Sequence, residues 1–190
     1  NSLRQRPDRI IVGETRRQSE AEVMFEAMHT GHSVYTTFHA NTADETIRRL
    51  INPPMSIPEA QLEAVHLNVV MFRNRRLGMR RIFEVAEFVP EKRGNVETLK
   101  ANTLYRWRAA GDTILKDSES IRLLDELSLH TGLTYDEINS DLEEKKTILD
   151  WLVKKDIHNV NQVGRVMAKY YLDRQSVLGV VVKGKGFADL

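Results

Sequence analysis

One acidic residue stands directly after a short apolar run near the start of the chain. The run "RIIVG" spans Arg9–Gly13, and Glu14 follows it. A continuous β-branched run that ends in glycine is typical of a parallel strand covered on both faces. A carboxylate at that point should lie at the C-terminal edge of the sheet, where open α/β sheets bind ligands. Such a carboxylate can act on Mg²⁺ through its water shell or orient an attacking water, although a surface ion pair with Arg16 or Arg17 is the commoner role.

Two histidines bracket the next apolar stretch, "TGHSVYTTFHANT", over residues 30–42. His32 precedes a predicted strand and His39 follows it. A zinc site could combine these two rings with His29 and Glu14, judged by ligand type alone. Because His29 should end a helix and His39 should lie at the far end of the strand, the expected geometry disfavours zinc. Taken alone, the histidines are interpreted as structural residues with satisfied hydrogen bonds.

The elements that must position these residues belong to an α/β arrangement over residues 1–117. Apolar strands alternate there with helical patterns, and later stretches predict antiparallel hairpin additions to the sheet, one with Gly111 near its turn. A helix is predicted over Ser19–Met28, and a second helix should begin at Asn41 as its N-cap. The stretch "MRRIFEVAEFV" alternates like a strand with one solvated face.

Residues 118–190 form a second segment with a helical pattern. Three helices are predicted, the second of which begins at the capping box Thr134–Glu137. We interpret this segment as a helical C-terminal region that packs on itself. The final stretch, "GVVVKGKG" at Gly179–Gly186, is predicted to be a flexible, basic tail.

Two stretches together resemble a known family. "LRQRPDRIIVGETR" and "TGHSVYTTFHANTADETIRRL" are similar to the Walker B strand and the histidine box of the secretion ATPase superfamily. That superfamily powers type II and type IV secretion, type IV pili and the archaeal flagellum, and the continuation "RRLINPPMSIP" resembles its archaeal branch. The resemblance covers roughly residues 3–89. It implies that residues 1–117 are the C-terminal part of a RecA-like P-loop NTPase domain, in which the strand flanked by His32 and His39 runs beside the "RIIV" strand.

The resemblance also implies roles for individual residues. Glu14 would be the catalytic or water-positioning acid, and His39 the histidine that faces the nucleotide phosphates. Nucleotide-associated or sensing roles are implied for a further set: Asp8, Arg16, His32 and Arg49. No direct metal ligand is expected, because Glu14 would reach Mg²⁺ only through bound water.

The whole motor implied by the resemblance is a hexameric ATPase that uses ATP and Mg²⁺. It would work with a membrane platform protein, in the cytoplasm at the inner face of the cell membrane, and couple hydrolysis to filament assembly or protein secretion. The sequence does not distinguish pilus, flagellum and secretion.

A complete P-loop, G-x-x-x-x-G-K-[ST], does not occur in the sequence. The nearest match, Gly179–Gly186, has glycine where Ser or Thr should reach Mg²⁺. In the family this loop precedes the Walker B strand, so we expect the chain to be a C-terminal fragment of the motor. Without the P-loop lysine and hydroxyl, the chain alone should hydrolyse ATP negligibly.

Composition leaves two other classes of function open. The formal net charge of +1 does not favour a polyanion, so no nucleic-acid partner is expected, and the lack of cysteine excludes a disulfide framework. Arginines nevertheless crowd two places, near aromatic residues in the second case, which would suit a nucleic-acid-binding module. The two groups are Arg4, Arg6, Arg9, Arg16, Arg17 and Arg73, Arg75, Arg76, Arg80, Arg81, the second near Tyr105 and Trp107. A non-catalytic interaction module is the other alternative.

Overall fold

A computed structural model describes residues 5, 7–94 and 96–189 of the chain. The described residues form six β-strands: β1 (Arg9–Val12), β2 (Ser33–Thr36), β3 (Asn68–Asn74), β4 (Met79–Arg93), β5 (Val96–Arg108) and β6 (Thr113–Lys116). They also form six α-helices: α1 (Gln18–His29), α2 (Ala43–Ile51), α3 (Leu123–Thr131), α4 (Tyr135–Lys154), α5 (Val160–Leu172) and α6 (Arg174–Val182). Short 3₁₀ helices lie at Glu59–Ala64, Ala109–Gly111 and Phe187–Asp189.

The chain divides into two compact units, Asn1–Asp125 and Glu126–Leu190. The division falls inside α3, whereas the pattern of the sequence changes near residue 117. In the described part of the chain, no helix is both long and apolar enough to cross a membrane.

The first two strands of unit 1 are parallel neighbours. Arg9 pairs with Ser33 and Val12 with Thr36, and α1 connects the two strands in sequence. The predicted adjacency of the histidine-flanked strand and the "RIIV" strand is therefore confirmed. This pairing places the chain that follows β1 and the chain that follows β2 at the same edge.

The remaining four strands form an antiparallel sheet in the order β3-β4-β5-β6. The predicted hairpins are confirmed, and Asp112 takes the left-handed conformation in the turn before β6. The expected single sheet is wrong in one respect: within the described residues, these strands form a sheet of their own and do not hydrogen-bond to β1 or β2. Helix α2 and the proline-containing segment lie between β2 and β3 in the chain. The fold is mixed α/β.

The predicted solvated face of β4 is also wrong, because Glu84 and Glu87 are among the most buried residues of unit 1. A bulge between Val85 and Ala86 shifts the pleat. Strict alternation would place residues three apart on opposite faces, and the bulge lets both carboxylates turn inward.

Each of these two carboxylates holds the start of a helix. Glu84 accepts a hydrogen bond from the backbone N–H of Ala43, the first residue of α2, and lies 3.3 Å from Arg106 Nη1. Glu87 does the same before α3, where it accepts from Ile121 N at 2.6 Å and Leu123 N at 2.8 Å. Anionic groups at helix N-termini satisfy free N–H donors and oppose the positive end of the helix dipole.

Helix α2 begins one residue later than the sequence predicted. Thr42, not Asn41, is the N-cap, and its hydroxyl accepts from Glu45 N at 3.0 Å. Asn41 instead donates from its backbone and side chain to the Glu45 carboxylate. Asn and Thr are both good caps, and the choice between adjacent candidates depends on the backbone register.

The core of unit 1 lies between α1, α2 and the antiparallel sheet. The apolar side chains of one continuous cluster are almost completely buried there: Ala21, Met24, Phe25, Ala43, Ile47, Leu50, Met55, Ile57, Leu62, Ala86 and Phe88. Burying such side chains contributes about 1.5–3 kcal/mol each before entropy is subtracted. This core fixes α2 against β4, and thereby fixes the residues that lead into α2.

Unit 2 is helical, as predicted, and α4 begins at the predicted capping box, with Thr134 and Glu137 bonded to one another's backbone N–H. The predicted flexible tail is wrong. Residues 174–182 form α6, whose Val177, Val180 and Val181 are buried in the unit's core. The carbonyl of Lys185 also accepts a hydrogen bond from Trp151 Nε1 at 3.0 Å.

Candidate functional site

The site is built where β1 and β2 end side by side. Beyond the last ladder pair, Thr15 N donates to Thr37 O at 3.0 Å, and Thr37 Oγ1 donates to Gly13 O at 2.7 Å. The hydroxyls of Thr15 and Thr36 lie 2.8 Å apart. These bonds continue the parallel pairing past the strands, so that the residues following Gly13 and Thr37 are held in register.

Glu14 and His39 meet at this edge. His39 Nε2 lies 2.7 Å from Glu14 Oε1, and Arg16 Nη2 lies 2.5 Å from Glu14 Oε2. The Glu14 side chain is 22% exposed, whereas the His39 and Arg16 side chains are mostly exposed. The Arg16 guanidinium, assisted by His39 and opposed by partial burial, lowers the pKa of Glu14 from its ordinary value. At neutral pH Glu14 is therefore an ionised acceptor between two cationic or polar groups.

Arg49 joins the site from α2. Its guanidinium donates to the backbone carbonyl of His39, lies 3.4 Å from Glu45 Oε1, and stacks 5.8 Å above the Phe38 ring. A planar guanidinium suits this combination of carbonyl, carboxylate and aromatic contacts. Arg49 thereby fixes the backbone at His39 and adds positive charge beside it.

A cleft of about 390 Å³ opens at this point. Its lining includes four polar residues, Glu14, Arg16, His39 and Arg49, together with Thr15, and four apolar residues, Phe38, Pro53, Pro54 and Met55. Two arginines, an imidazole and a carboxylate in one cleft suit an anionic ligand with a reacting water.

The structure brings four of the six predicted site residues together and leaves two apart. Asp8 immediately precedes β1, at the end opposite to Glu14, because four strand residues at about 3.3 Å each separate them. His32 immediately precedes β2, where its Nδ1 lies 3.2 Å from the Thr30 hydroxyl. Neither residue lines the cleft. The predicted nucleotide roles of Asp8 and His32 thus gain no support from proximity.

A metal site requires several ligand side chains within reach of one ion. Over the described ranges 5, 7–94 and 96–189, no three His, Cys, Asp or Glu residues lie close enough together to hold a metal ion. Glu14 and His39 are the two such residues that line the cleft. Glu20 accepts from the backbone N–H groups of Arg16 and Arg17 at 2.8 and 3.1 Å, which caps α1.

Two features of the site were not predicted from the sequence: the hydrogen bonds of Thr15 and Thr37, and the contact of Glu84 with the start of α2. A signal for the threonine bonds was present, since hydroxyl residues follow both strands in "GETR" and "YTTF". No local signal marks Glu84, because its helix partner Ala43 is 41 residues away. Arg49 lies on α2, the helix whose first N–H group Glu84 binds. Glu84 therefore supports the site indirectly, through the position of α2.

The nucleic-acid interpretation needs an exposed aromatic platform beside the second arginine group. Trp107 does not provide one, because it is buried, stacks on Phe72 at 5.3 Å, and donates its indole N–H to Asp112 at 2.9 Å. Tyr105, the other aromatic residue of this prediction, is 42% exposed. Arg81 is likewise engaged, with Nε 2.6 Å from Asp112 Oδ1. In the first group, Arg4 and Arg6 lie outside the described residues.

Comparisons with known proteins agree with the resemblance. The sequence profile of the family described as "Type II/IV secretion system protein" matches residues 1–77. An uncharacterized protein of Methanocaldococcus jannaschii is 34% identical over 158 residues, which cover 80% of this chain and 56% of the relative. The type IV pilus assembly ATPase PilB of Pseudomonas aeruginosa is 45% identical over 69 residues, 36% of this chain and 12% of the relative. The type II secretion system protein E of the same organism is 41% identical over 71 residues, 37% of this chain and 14% of the relative.

The chain spans only part of these relatives, 56% of one M. jannaschii protein and 20% and 31% of two others. The matches to the pilus and secretion proteins are short, at 69 and 71 residues. The family profile over residues 1–77 includes Glu14, Arg16, His39 and Arg49. Residues 1–77 of this chain are thus similar in sequence to the type II/IV secretion system protein family.

Proposed function

We propose that the cleft at the ends of β1 and β2 is one half of the nucleotide site of a RecA-like P-loop ATPase. The observation that carries the proposal is the pairing of Glu14 with His39 at 2.7 Å, on adjacent parallel strands. Ligands of open α/β sheets bind at this edge, and phosphoryl transfer depends on positioned acids and cations more than on covalent chemistry. The P-loop half would be supplied by sequence that precedes β1 in the family.

The proposed chemistry divides among the four cleft residues. Glu14 accepts a hydrogen bond from the attacking water and orients it, for which its lowered pKa keeps it ionised. His39 Nε2 and the guanidinium of Arg16 donate towards the anionic phosphates, and both are exposed enough to exchange Glu14 for a ligand. Arg49 holds the His39 backbone in place. When bound, Mg²⁺ would neutralise phosphate charge, with Glu14 reaching it through water.

In the whole protein, this site would lie at subunit interfaces of a hexameric ring. ATP hydrolysis there would drive filament assembly or protein secretion, at the cytoplasmic face of the membrane and against a platform protein. The pilus or secretion role is supported by the family match over residues 1–77 and by the names of the pilus and secretion relatives. Type IV pilus, type II secretion and archaeal flagellum systems remain alternatives within it.

Phosphate release tests the proposed activity. In a protein that carries both the P-loop and these residues, Glu14→Gln should lower kcat about 100-fold or more, because a positioned acid or base contributes roughly 10²–10⁴. Glu22→Gln is the matched control, because Glu22 is an exposed residue of α1 whose described contact is Gln18 at 2.9 Å. The control should retain wild-type kcat. Equal activity of Glu14→Gln and wild type would favour the non-catalytic interaction module instead.

An assay of the 190-residue chain alone tests whether the P-loop half of the site is required. It should release phosphate no faster than buffer, because the four cleft residues lack the P-loop groups that position and activate the γ-phosphate. Steady release by the chain that Glu14→Gln abolishes would contradict the proposal that a P-loop half is required.

A further inference from the structure

The hairpin between β3 and β4 carries four arginines that have no described partner. Arg73, Arg75, Arg76 and Arg80 are all exposed, and none of them forms an ion pair with another described residue. The neighbouring arginines of the sheet behave differently. Arg81 binds Asp112, and Arg106 and Arg108 both bind Asp117. The sheet thus neutralises its inner arginines and leaves the hairpin cations free.

The end of the hairpin, beyond Glu84, is a two-stranded ribbon. The pairing of β4 with β5 begins at Glu84, whereas its pairing with β3 extends to Met79, so residues 79–83 have β3 as their hydrogen-bonded strand neighbour. The turn is held by backbone acceptors and one side chain: Gly78 N donates to Arg75 O at 3.4 Å, and Leu77 N donates to Asn74 Oδ1 at 3.1 Å. The side chains of Arg75, Arg76 and Leu77 are therefore not needed to form the turn.

The arrangement of charge on the ribbon is unfavourable for the isolated fold. Arg73 and Arg80 are direct cross-strand partners, and like charges placed opposite one another destabilise a sheet. Charged residues do protect edge strands from aggregation, which would explain Arg73 on the edge strand β3. Protection of an edge strand does not explain Arg75 and Arg76 in the turn or Arg80 on β4. A ligand that neutralises all four cations would explain their placement.

Apolar side chains are interleaved with these cations. Leu77 is 69% exposed in the turn, and Met71 is 65% exposed two residues before Arg73, opposite Ile82. A polyanion such as nucleic acid would be matched by cations with exposed aromatic rings. An anionic bilayer instead presents headgroup charge above an apolar layer, which suits arginines that flank an exposed leucine at a hairpin turn.

We propose that the β3–β4 hairpin, residues 71–82, is a contact site for an anionic lipid surface, with Arg73, Arg75, Arg76 and Arg80 on the headgroups and Leu77 inserted between them. This inference rests on the hairpin alone and does not depend on the nucleotide site. The hairpin would hold unit 1 against that surface.

Vesicle binding by the full chain tests the assignment. The wild-type chain should sediment with vesicles of phosphatidylglycerol mixed with phosphatidylcholine and not with phosphatidylcholine alone, and the binding should weaken with added salt. Arg75→Gln/Arg76→Gln should weaken it about 30-fold, because each basic residue near an anionic surface contributes roughly 1 kcal/mol and 1.4 kcal/mol is tenfold. The matched control is Lys154→Gln/Lys155→Gln, which removes the same charge from exposed residues at the end of α4 and should leave binding unchanged.

A fluorescent reporter tests the inserted residue. Leu77→Trp should shift its emission to the blue with anionic vesicles, over a constant background from the buried Trp107 and Trp151. Equal losses in the two double variants, or equal binding to neutral vesicles, would overturn the proposal. So would an oligonucleotide that binds more tightly than the anionic vesicles at the same salt concentration and is released by Arg75→Gln/Arg76→Gln.

Discussion

Substitution of Glu87 tests whether a buried carboxylate anchors the segment before α3. Glu87 is 1% exposed and accepts five hydrogen bonds. The donors are Asn102 Nδ2 at 2.8 Å, Ser120 Oγ at 3.0 Å, and the backbone N–H groups of Ile121, Arg122 and Leu123 at 2.6, 3.2 and 2.8 Å. Glu87→Gln keeps the size of the side chain but replaces one accepting oxygen by a donating NH₂ group.

The loss of stability expected for Glu87→Gln depends on how many donors lose their acceptor. One orientation of the amide keeps the oxygen near Ser120, Arg122 and Leu123, and then Ile121 N–H faces another donor while the Asn102 amide must flip. Hydrogen bonds to charged groups contribute about 1.5–3 kcal/mol each, so losing one and weakening the rest should cost about 3 kcal/mol. That cost is smaller than the stability of about 5–15 kcal/mol typical of a folded protein, so the variant should remain folded.

Hydrogen exchange measures this effect locally. The amides of Ile121 and Leu123 should exchange about 100-fold faster in Glu87→Gln than in wild type, since 1.4 kcal/mol corresponds to a factor of ten. Glu91→Gln is the control on the same strand: Glu91 forms a partly exposed pair with Lys100 at 2.8 Å, and such pairs contribute about 0–1 kcal/mol. Unchanged exchange at Ile121 and Leu123 in Glu87→Gln would refute the anchoring role.

The same anchor has a defined pH dependence. Burial raises the pKa of Glu87, but the donors from Ile121, Asn102, Leu123 and Ser120 together outweigh it, and the net shift is downward. A carboxyl with a lowered pKa in the folded state stabilises the protein above its unfolded pKa of about 4.3 and loses that contribution as the pH falls through the folded value. Protection of the Ile121 and Leu123 amides should therefore decline on acidification in wild type and less so in Glu87→Gln.

Three further predictions concern other contacts. Arg81 and Trp107 lower the pKa of Asp112 to about 2, so the contribution of this carboxylate to stability should be full above about pH 4 and be lost towards pH 2. Since Arg81 and Asp112 are both more than a third exposed, Asp112→Asn should lower stability only slightly in urea unfolding at neutral pH, and a pH profile unchanged by the substitution would argue against the pair. Thr134→Ala removes the N-cap of α4 and should cost about 1 kcal/mol, measured by the thermal loss of helical circular dichroism; no shift would mean that the cap is dispensable. Trp151→Phe removes the hydrogen bond to the Lys185 carbonyl and should cost about 1–2 kcal/mol while speeding proteolysis after α6, whereas unchanged cleavage would indicate that the end of the chain is held by other contacts.

Much of the site's framework was predictable because its signals are local. The β-branched runs before Gly13 and after His32 mark two strands, although the predicted cover on both faces of β1 is wrong, since Ile11 is 80% exposed. The family resemblance places the two strands side by side. The parallel pairing then follows, and with it the approach of His39 to Glu14. The roles of these residues in hydrolysis remain predictions that the contacts support but do not test.

The errors share a physical cause, which is tertiary context. Glu84 and Glu87 look solvated in an alternating strand, and only the bulge at Val85/Ala86 and the two helix N-termini make their burial favourable. Helix α6 contains Gly179 and four valines, which are poor helix formers, yet packing of Val177 and Val181 outweighs that propensity. The separate antiparallel sheet was missed because strand patterns do not specify which strands become neighbours.

If His39 and Arg16 donate to bound phosphate as proposed, the ring resonances of isotope-labelled histidines should report that contact directly. On titration of the 190-residue chain with ATP and Mg²⁺, the His39 ring should shift, because it lines the cleft, and the His32 ring should not, because it lies at the other end of β2. His39→Gln assigns the resonance, and inorganic phosphate should produce a weaker shift of the same ring. A shift of the His32 ring without a shift of the His39 ring, or equal shifts of the two rings, would contradict the proposed phosphate site.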